Sequence, residues 1–90
     1  MAVLVLEHSF DPPITPEQLT ESARLLDRCL EVHGAKWRRS YVSKDRKRMI
    51  CEFEAADAES VRESARSAGV TFDACWIADL YAADAPSGSY

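Results

Sequence analysis

Residues 37–54 read WRRSYVSKDRKRMICEFE, and this stretch decides the fold. Trp37 to Ser43 is rich in aromatic and β-favouring side chains, whereas Lys44-Asp45-Arg46 is polar throughout. From Lys47 to Glu54 the chain alternates, with Met49, Cys51 and Phe53 on one side and Arg48, Ile50, Glu52 and Glu54 on the other. A period of two with one apolar side marks a strand lying on a core. The stretch therefore predicts a β-hairpin whose arms, at about 3.3 Å per residue, reach roughly 20 Å. A hairpin of that length needs a second layer to cover its Met49/Cys51/Phe53 face.

The flanking segments supply that layer. Upstream, Ala2 to Glu7 is a near-continuous apolar run ending at Glu7 and His8, as expected of a central strand. Asp11-Pro12-Pro13 ends it, because proline carries no N–H for a ladder and restricts the residue before it. Thr15-Pro16-Glu17-Gln18 then has the form of a capping box with proline at the first helical position, and Ile14 and Leu19 are spaced as a hydrophobic staple. Leu19, Ala23, Leu26 and Leu30 recur on one helical face, and Gly34 is placed to terminate the helix. Downstream, Asp57 caps a second helix with a small-residue face of Ala58, Val61, Ala65 and Ala68, which Gly69 ends. A last strand is expected around Ala74 to Tyr81.

The order β-α-β-β-α-β predicts an α+β, ferredoxin-like domain over residues 1–82, followed by a loose polar tail at 83–90. Right-handed crossovers place both helices on one face of a four-stranded antiparallel sheet. Strands one and three are expected at its centre, as a parallel pair within it. The other face has no cover within the chain, and alternation assigns it Val3, Val5, Ile50, Glu7 and Glu52. With 90 residues the core is thin, and a homodimer joined through the bare face, a dimeric α+β barrel, would supplement it.

Composition narrows the function classes. Apolar residues make up 47% and charged residues 29%, which suits a globular chain, and the net charge of −4 argues against general affinity for nucleic acid or anionic membrane. Seven of the eleven basic residues nevertheless lie between Lys36 and Arg48, either as a solvated edge that resists sheet aggregation or as a patch for a partner. The three cysteines, Cys29, Cys51 and Cys75, contain no CxxC and lie within predicted elements, so free thiols in a reducing cytoplasm are expected. No glycine-rich nucleotide cradle is present, so no nucleotide cofactor is expected. The third strand reads KRMICEFE, which lacks the paired aromatics and glycine of the RNA-binding module that shares this topology.

Two constellations carry chemistry. Trp37, Arg39 and Tyr41 share a parity on the edge strand beside Glu7 and Glu52, and together would form a polar pocket with aromatic walls on the bare face. Such carboxylates are either held charged by arginine or shifted for acid–base work. His8 and Cys51 are nitrogen and sulfur donors on central strands, suited to nickel or another divalent transition metal, although no compact ligand spacing such as HxH occurs. Core packing for Cys51 and a strand-end hydrogen bond for His8 are the competing structural roles.

From Trp37 to Val70 the chain resembles the DUF4242 family of small bacterial proteins. The likeness rests on Ser40-Tyr41-Val42, Asp45, Lys47, Cys51, Glu54-Ala55, Glu59, Val61-Arg62 and Ala68-Gly69, with Glu7-His8-Ser9-Phe10 and Thr15 to Leu19 upstream. The resemblance implies a ferredoxin-like dimer and a role in nickel binding, as described for a streptomycete member. It also sets histidine, in many members, where this chain has Ser64. Three readings follow. The first is a cytoplasmic metal-binding protein using His8 and Cys51, with Glu7, Glu52 and Tyr41 nearby. The second is a small-molecule binder or cofactor-free enzyme, in which Tyr41, Arg39 and Glu52 orient or deprotonate the ligand. The third is a structural module without a site.

Overall fold

A computed structural model describes residues 1–83, in the order β1 (Ala2–Ser9), α1 (Pro16–Val32), β2 (Lys36–Val42), β3 (Arg48–Ala55), α2 (Ala58–Ala68) and β4 (Ala74–Ala78). Of the expected tail, residues 84–90 lie outside the described residues. The strands form one sheet in the order β2-β3-β1-β4, and every neighbouring pair is antiparallel. The sheet is ferredoxin-like as expected, but the parallel central pair is not. The crossover through α1 makes β2 run with β1, and the hairpin then reverses the chain, so β3 returns against β1. β4 stops at Ala78, short of Tyr81, because Ala78 already pairs with Val3 near the start of β1 and almost no partner strand remains beyond it.

Helix α1 begins where the capping box requires. Gln18 N–H donates to Thr15 Oγ1 (3.1 Å), and Thr15 N–H donates to Gln18 Oε1 (2.9 Å). In α2, Ser60 N–H donates to the Asp57 carboxylate (2.8 Å), and Gly69 closes the helix with φ of 70°, a left-handed conformation that costs glycine little. Between the helices and the sheet, Leu4, Leu6, Leu30, Phe53, Ala55, Val61 and Ala65 are buried. Burying each large apolar side chain contributes about 1.5–3 kcal/mol. The small face of α2 brings it close to α1, where Ser64 is sealed in the seam and its hydroxyl donates to the Ser60 carbonyl (2.7 Å).

The hairpin turn is held by its own polar groups. Ser43 Oγ–H donates to the Asp45 carboxylate (2.7 Å), which also accepts from Lys47 N–H (3.1 Å). These bonds hold the Asp45 carboxyl below its ordinary value, with the Ser43 hydroxyl the larger cause. Arg46 takes a φ of 62°, the left-handed region, and its carbonyl accepts from Ile14 N–H (2.9 Å), tying the β1–α1 loop to the turn. A left-handed non-glycine residue costs roughly 1–2 kcal/mol, partly offset by the unfolded-state entropy that glycine would add. Arg46→Gly should therefore raise stability by about 0.5–1 kcal/mol, seen as a higher urea midpoint with unchanged slope. A lower midpoint would show that the arginine side chain outweighs the backbone strain.

Candidate functional site

The β1–β3 register builds the site. Leu4, Leu6 and His8 stand opposite Phe53, Cys51 and Met49, and all six face the helices. His8 and Cys51 are thus diagonal neighbours on one face, a spacing of roughly 7–8 Å between backbone positions. They are only 3% and 4% exposed.

His8 has a determined protonation pattern. Its Nδ1 lies 2.7 Å from the Thr71 carbonyl oxygen, which can only accept, so Nδ1 carries the proton and Nε2 is a lone pair. Two further bonds brace this corner: Asp73 N–H donates to the Glu7 carbonyl and Ser9 Oγ–H to the Asp73 carboxylate, both at 2.7 Å. The ring also stacks on Phe10, with centroids 6.0 Å apart. Nε2 itself is buried with no hydrogen-bond partner. A buried acceptor left unmade costs about 1–3 kcal/mol, so the arrangement persists because the rest of the corner holds it. The strand-end hydrogen bond expected of His8 is therefore present on Nδ1, and Nε2 is left without a partner.

Cys51 takes its place in a short donor chain. Trp37 Nε1–H donates to Ser40 Oγ (3.0 Å), and Ser40 Oγ–H donates to Cys51 Sγ (2.9 Å). Burial pushes the Cys51 thiol up from its ordinary value, with the Ser40 hydroxyl opposing, so the group is a thiol at neutral pH. The chain exists because β2 contains a bulge between Trp37 and Arg39. Arg38 and Arg39 both stay on the outer side, where Arg38 pairs with Glu54 and Arg39 Nε lies 3.2 Å from Glu52. One extra residue on that side reverses the parity of everything before it. Trp37 consequently pairs with Phe53 on the helix side, not beside Arg39 and Tyr41 as simple alternation predicts. The adjacent arginines, both requiring water within an alternating strand, were the available signal for the bulge. Ser40 follows the bulge, and alternation from Tyr41 already places it inward beside Cys51; a lone serine simply carries no signal of a site.

A cleft of ≈ 410 Å³ opens on this side, between α1 and the β2–β3 half of the sheet. Leu19, Ala23 and Leu26 line it from α1, and Trp37, Met49 and Phe53 line it from the sheet, together with His8, Ser40 and Cys51. No Asp, Glu, Lys or Arg lines it. The remaining expected site residues lie on the opposite, bare face. There Glu7 accepts from Trp76 Nε1–H (2.7 Å), Glu52 is paired with Arg39, and Tyr41 is 57% exposed. Glu7, Arg39, Tyr41 and Glu52 are therefore a sheet thickness away from His8 and Cys51. Ser64, in the helix seam, is not among the residues that line the cleft.

Whether the residues suit a metal ion can be judged from the donors. His8 fits, because metal-binding histidines commonly donate their second ring N–H to a carbonyl, as His8 does to Thr71. The number of donors does not complete a site: among the described residues, no group of three or more His, Cys, Asp or Glu could hold an ion. Burial, the largest cause, also pushes the His8 imidazole below its ordinary value of 6.5, while the Thr71 bond and the Asp73 charge oppose it. The folded state therefore takes up this proton at lower pH than the unfolded chain. Stability from His8 is fully present above about pH 6.5 and is lost as pH falls through the folded midpoint. Metal-free wild type should accordingly lose stability between pH 7.5 and 5.5 relative to His8→Asn, measured by urea unfolding. Parallel profiles for the two proteins would exclude His8 as the source.

A family model described as nickel responsive protein SCO4226-like matches residues 5–77. The chain is also similar in structure to SCO4226 from Streptomyces coelicolor A3(2), with a TM-score of 0.81 and 20% identity, over 90% of this chain and 100% of that one. Among curated proteins, none matches by sequence. The structural likeness supports the ferredoxin-like fold, and the family match spans β1 to β4 and so includes both His8 and Cys51. The chain belongs to the SCO4226-like family of nickel responsive proteins.

Proposed function

We propose that this chain is a small metal-responsive binding protein that takes nickel or a similar divalent transition ion through His8 Nε2, with Cys51 as a second donor. The single observation behind the reading is the buried, unpartnered Nε2 lone pair, whose tautomer the Thr71 carbonyl enforces. Family membership supports the metal, and the likeness to DUF4242 proteins is read in the same sense. Imidazole suits nickel, and a thiol that loses its proton on binding adds a second bond. A small organic ligand is a second reading, favoured by the uncharged ≈ 410 Å³ cleft beside the same atoms. Three free cysteines, Cys29, Cys51 and Cys75, support a cytoplasmic setting, and no helix among the described residues is long and apolar enough to cross a membrane.

Isothermal titration of untagged protein with Ni²⁺ tests the metal reading. Saturable binding is expected, weakened at least tenfold in His8→Ala and measurably in Cys51→Ser. Absent binding, or binding equal in both variants and wild type, would remove it.

The bare face suggests a second copy as partner. Across it run the rows Arg39–Glu52–Val5–Trp76 and Tyr41–Ile50–Glu7–Ala74, in which apolar groups lie beside the Arg39–Glu52 ion pair and the indole-bonded Glu7. Trp76, Tyr41 and Ile50 are exposed there, although large apolar side chains gain most from cover. A homodimer through this face is expected by sedimentation equilibrium. Ile50→Arg should give a folded monomer, since Glu7 on the neighbouring strand can accept the new charge. Wild type that sediments as a monomer at working concentration would end this proposal without touching the cleft.

A further inference from the structure

The helix-side cleft has a local cause in α1. Leu19, Ser22, Ala23, Leu26 and Leu30 share one helical face and all line the cleft, but the two middle positions carry small side chains. Protein interiors are close-packed, and a leucine at position 22 would extend the apolar stripe into the gap. The chain instead leaves ≈ 410 Å³, within the range of about 300–1,000 Å³ found for small-molecule sites. The sheet wall includes Trp37 and Phe53, which pair across β2 and β3, and Trp37 is still 49% exposed. Aromatic walls of this kind suit a flat ring.

The other hydroxyls and ring nitrogens of the lining are committed or out of reach. Thr20 Oγ–H donates to the Pro16 carbonyl (3.0 Å), Trp37 Nε1–H to Ser40 Oγ, and Ser40 Oγ–H to Cys51 Sγ. His8 Nδ1 is bonded to Thr71, and its Nε2 is buried. Ser22 differs: it is half-buried, and among the described residues its hydroxyl has no partner. With no Asp, Glu, Lys or Arg on the lining, a charged group carried inside would lose its hydration and gain no counter-charge. Resting on the small-organic-ligand reading above, we propose that the cleft receives an uncharged, ring-bearing molecule with a single hydroxyl group. Its ring lies between Ala23, Leu26 and Trp37, and its oxygen pairs with the Ser22 hydroxyl. The small residues of α1 thus keep a binding space open where a larger side chain would have improved the core.

Titrations of the untagged full chain with 2-naphthol, 2-naphthoate and 2-methylnaphthalene vary charge and oxygen on one ring system. The indole N–H resonances of Trp37 and Trp76 report the two sides of the sheet separately, since Trp76 pairs with Val5 on the bare face. 2-Naphthol should shift Trp37 and leave Trp76 in place, and should bind more tightly than 2-naphthoate by about tenfold or more. Ser22→Ala should weaken 2-naphthol by about three- to tenfold and leave 2-methylnaphthalene unchanged. Ser22→Leu should abolish the Trp37 shift with every probe and raise the melting temperature by about 4–8 °C. Equal affinity for 2-naphthol and 2-naphthoate, with Trp37 shifted, would overturn the uncharged class and leave the small-organic-ligand reading standing. Unchanged affinity for 2-naphthol in Ser22→Ala would do the same to the hydroxyl contact. A shift at Trp76 alone, or binding retained by folded Ser22→Leu, would overturn the siting in the cleft. No shift at either indole would remove the small-organic-ligand reading and this proposal with it.

Discussion

Everything near the candidate site depends on the pairing of β1 with β3. Eight residues of each strand are matched, and the match places Leu4, Leu6 and His8 opposite Phe53, Cys51 and Met49. Because side chains alternate, a slip of one position would turn His8 outward and bring Glu7 under the helices. The register is tied to burial: Leu4, Leu6 and Phe53 are sealed, and a slip of one position would turn one strand's apolar set out to the bare face. The core thus positions the polar atoms. His8 is held where it is because its strand neighbours cannot be anywhere else.

Two local devices convert that register into a site. The first is the corner formed by Thr71 and Asp73, which commits the Nδ1 proton of His8 and brings the segment before β4 against the end of β1. The second is the bulge in β2, which turns Trp37 inward onto Ser40, so that the hydroxyl beside Cys51 gains a donor and the cleft an indole wall. Neither device is costless. The first leaves Nε2 without a partner, and the second interrupts an edge ladder. Local features that weaken the fold while leaving a buried lone pair unmade beside a cleft mark a candidate site.

The two sheet faces divide the chemistry. On the bare face each carboxylate is already engaged, Glu7 by the Trp76 indole and Glu52 by Arg39, and the arrangement resembles an interface more than a reaction centre. On the helix side the groups are few, uncharged and buried. An acidic chain with a basic hairpin thus keeps its charges on exposed surfaces, and keeps an apolar, nitrogen- and sulfur-bearing cleft apart from them.

The sequence by itself determined the elements, their order and their inward faces. Those follow from local rules: a capping box at Thr15, alternation from Met49 to Phe53, and small residues spaced along α2. It also singled out His8 and Cys51, because donor atoms on central strands are visible as residue types. It did not reveal that they share a cleft with Trp37, nor that Thr71 directs the histidine's lone pair. Both facts arise from contacts between segments far apart in the chain: Thr71 is 63 positions from His8, and the bulge shows itself only against β3. Direction, by contrast, follows from connectivity: a crossover followed by a hairpin already sets β3 against β1, and the expected parallel central pair overlooks the hairpin's reversal. Alternation says which residues share a side of one strand, and only the assembled sheet says what that side meets.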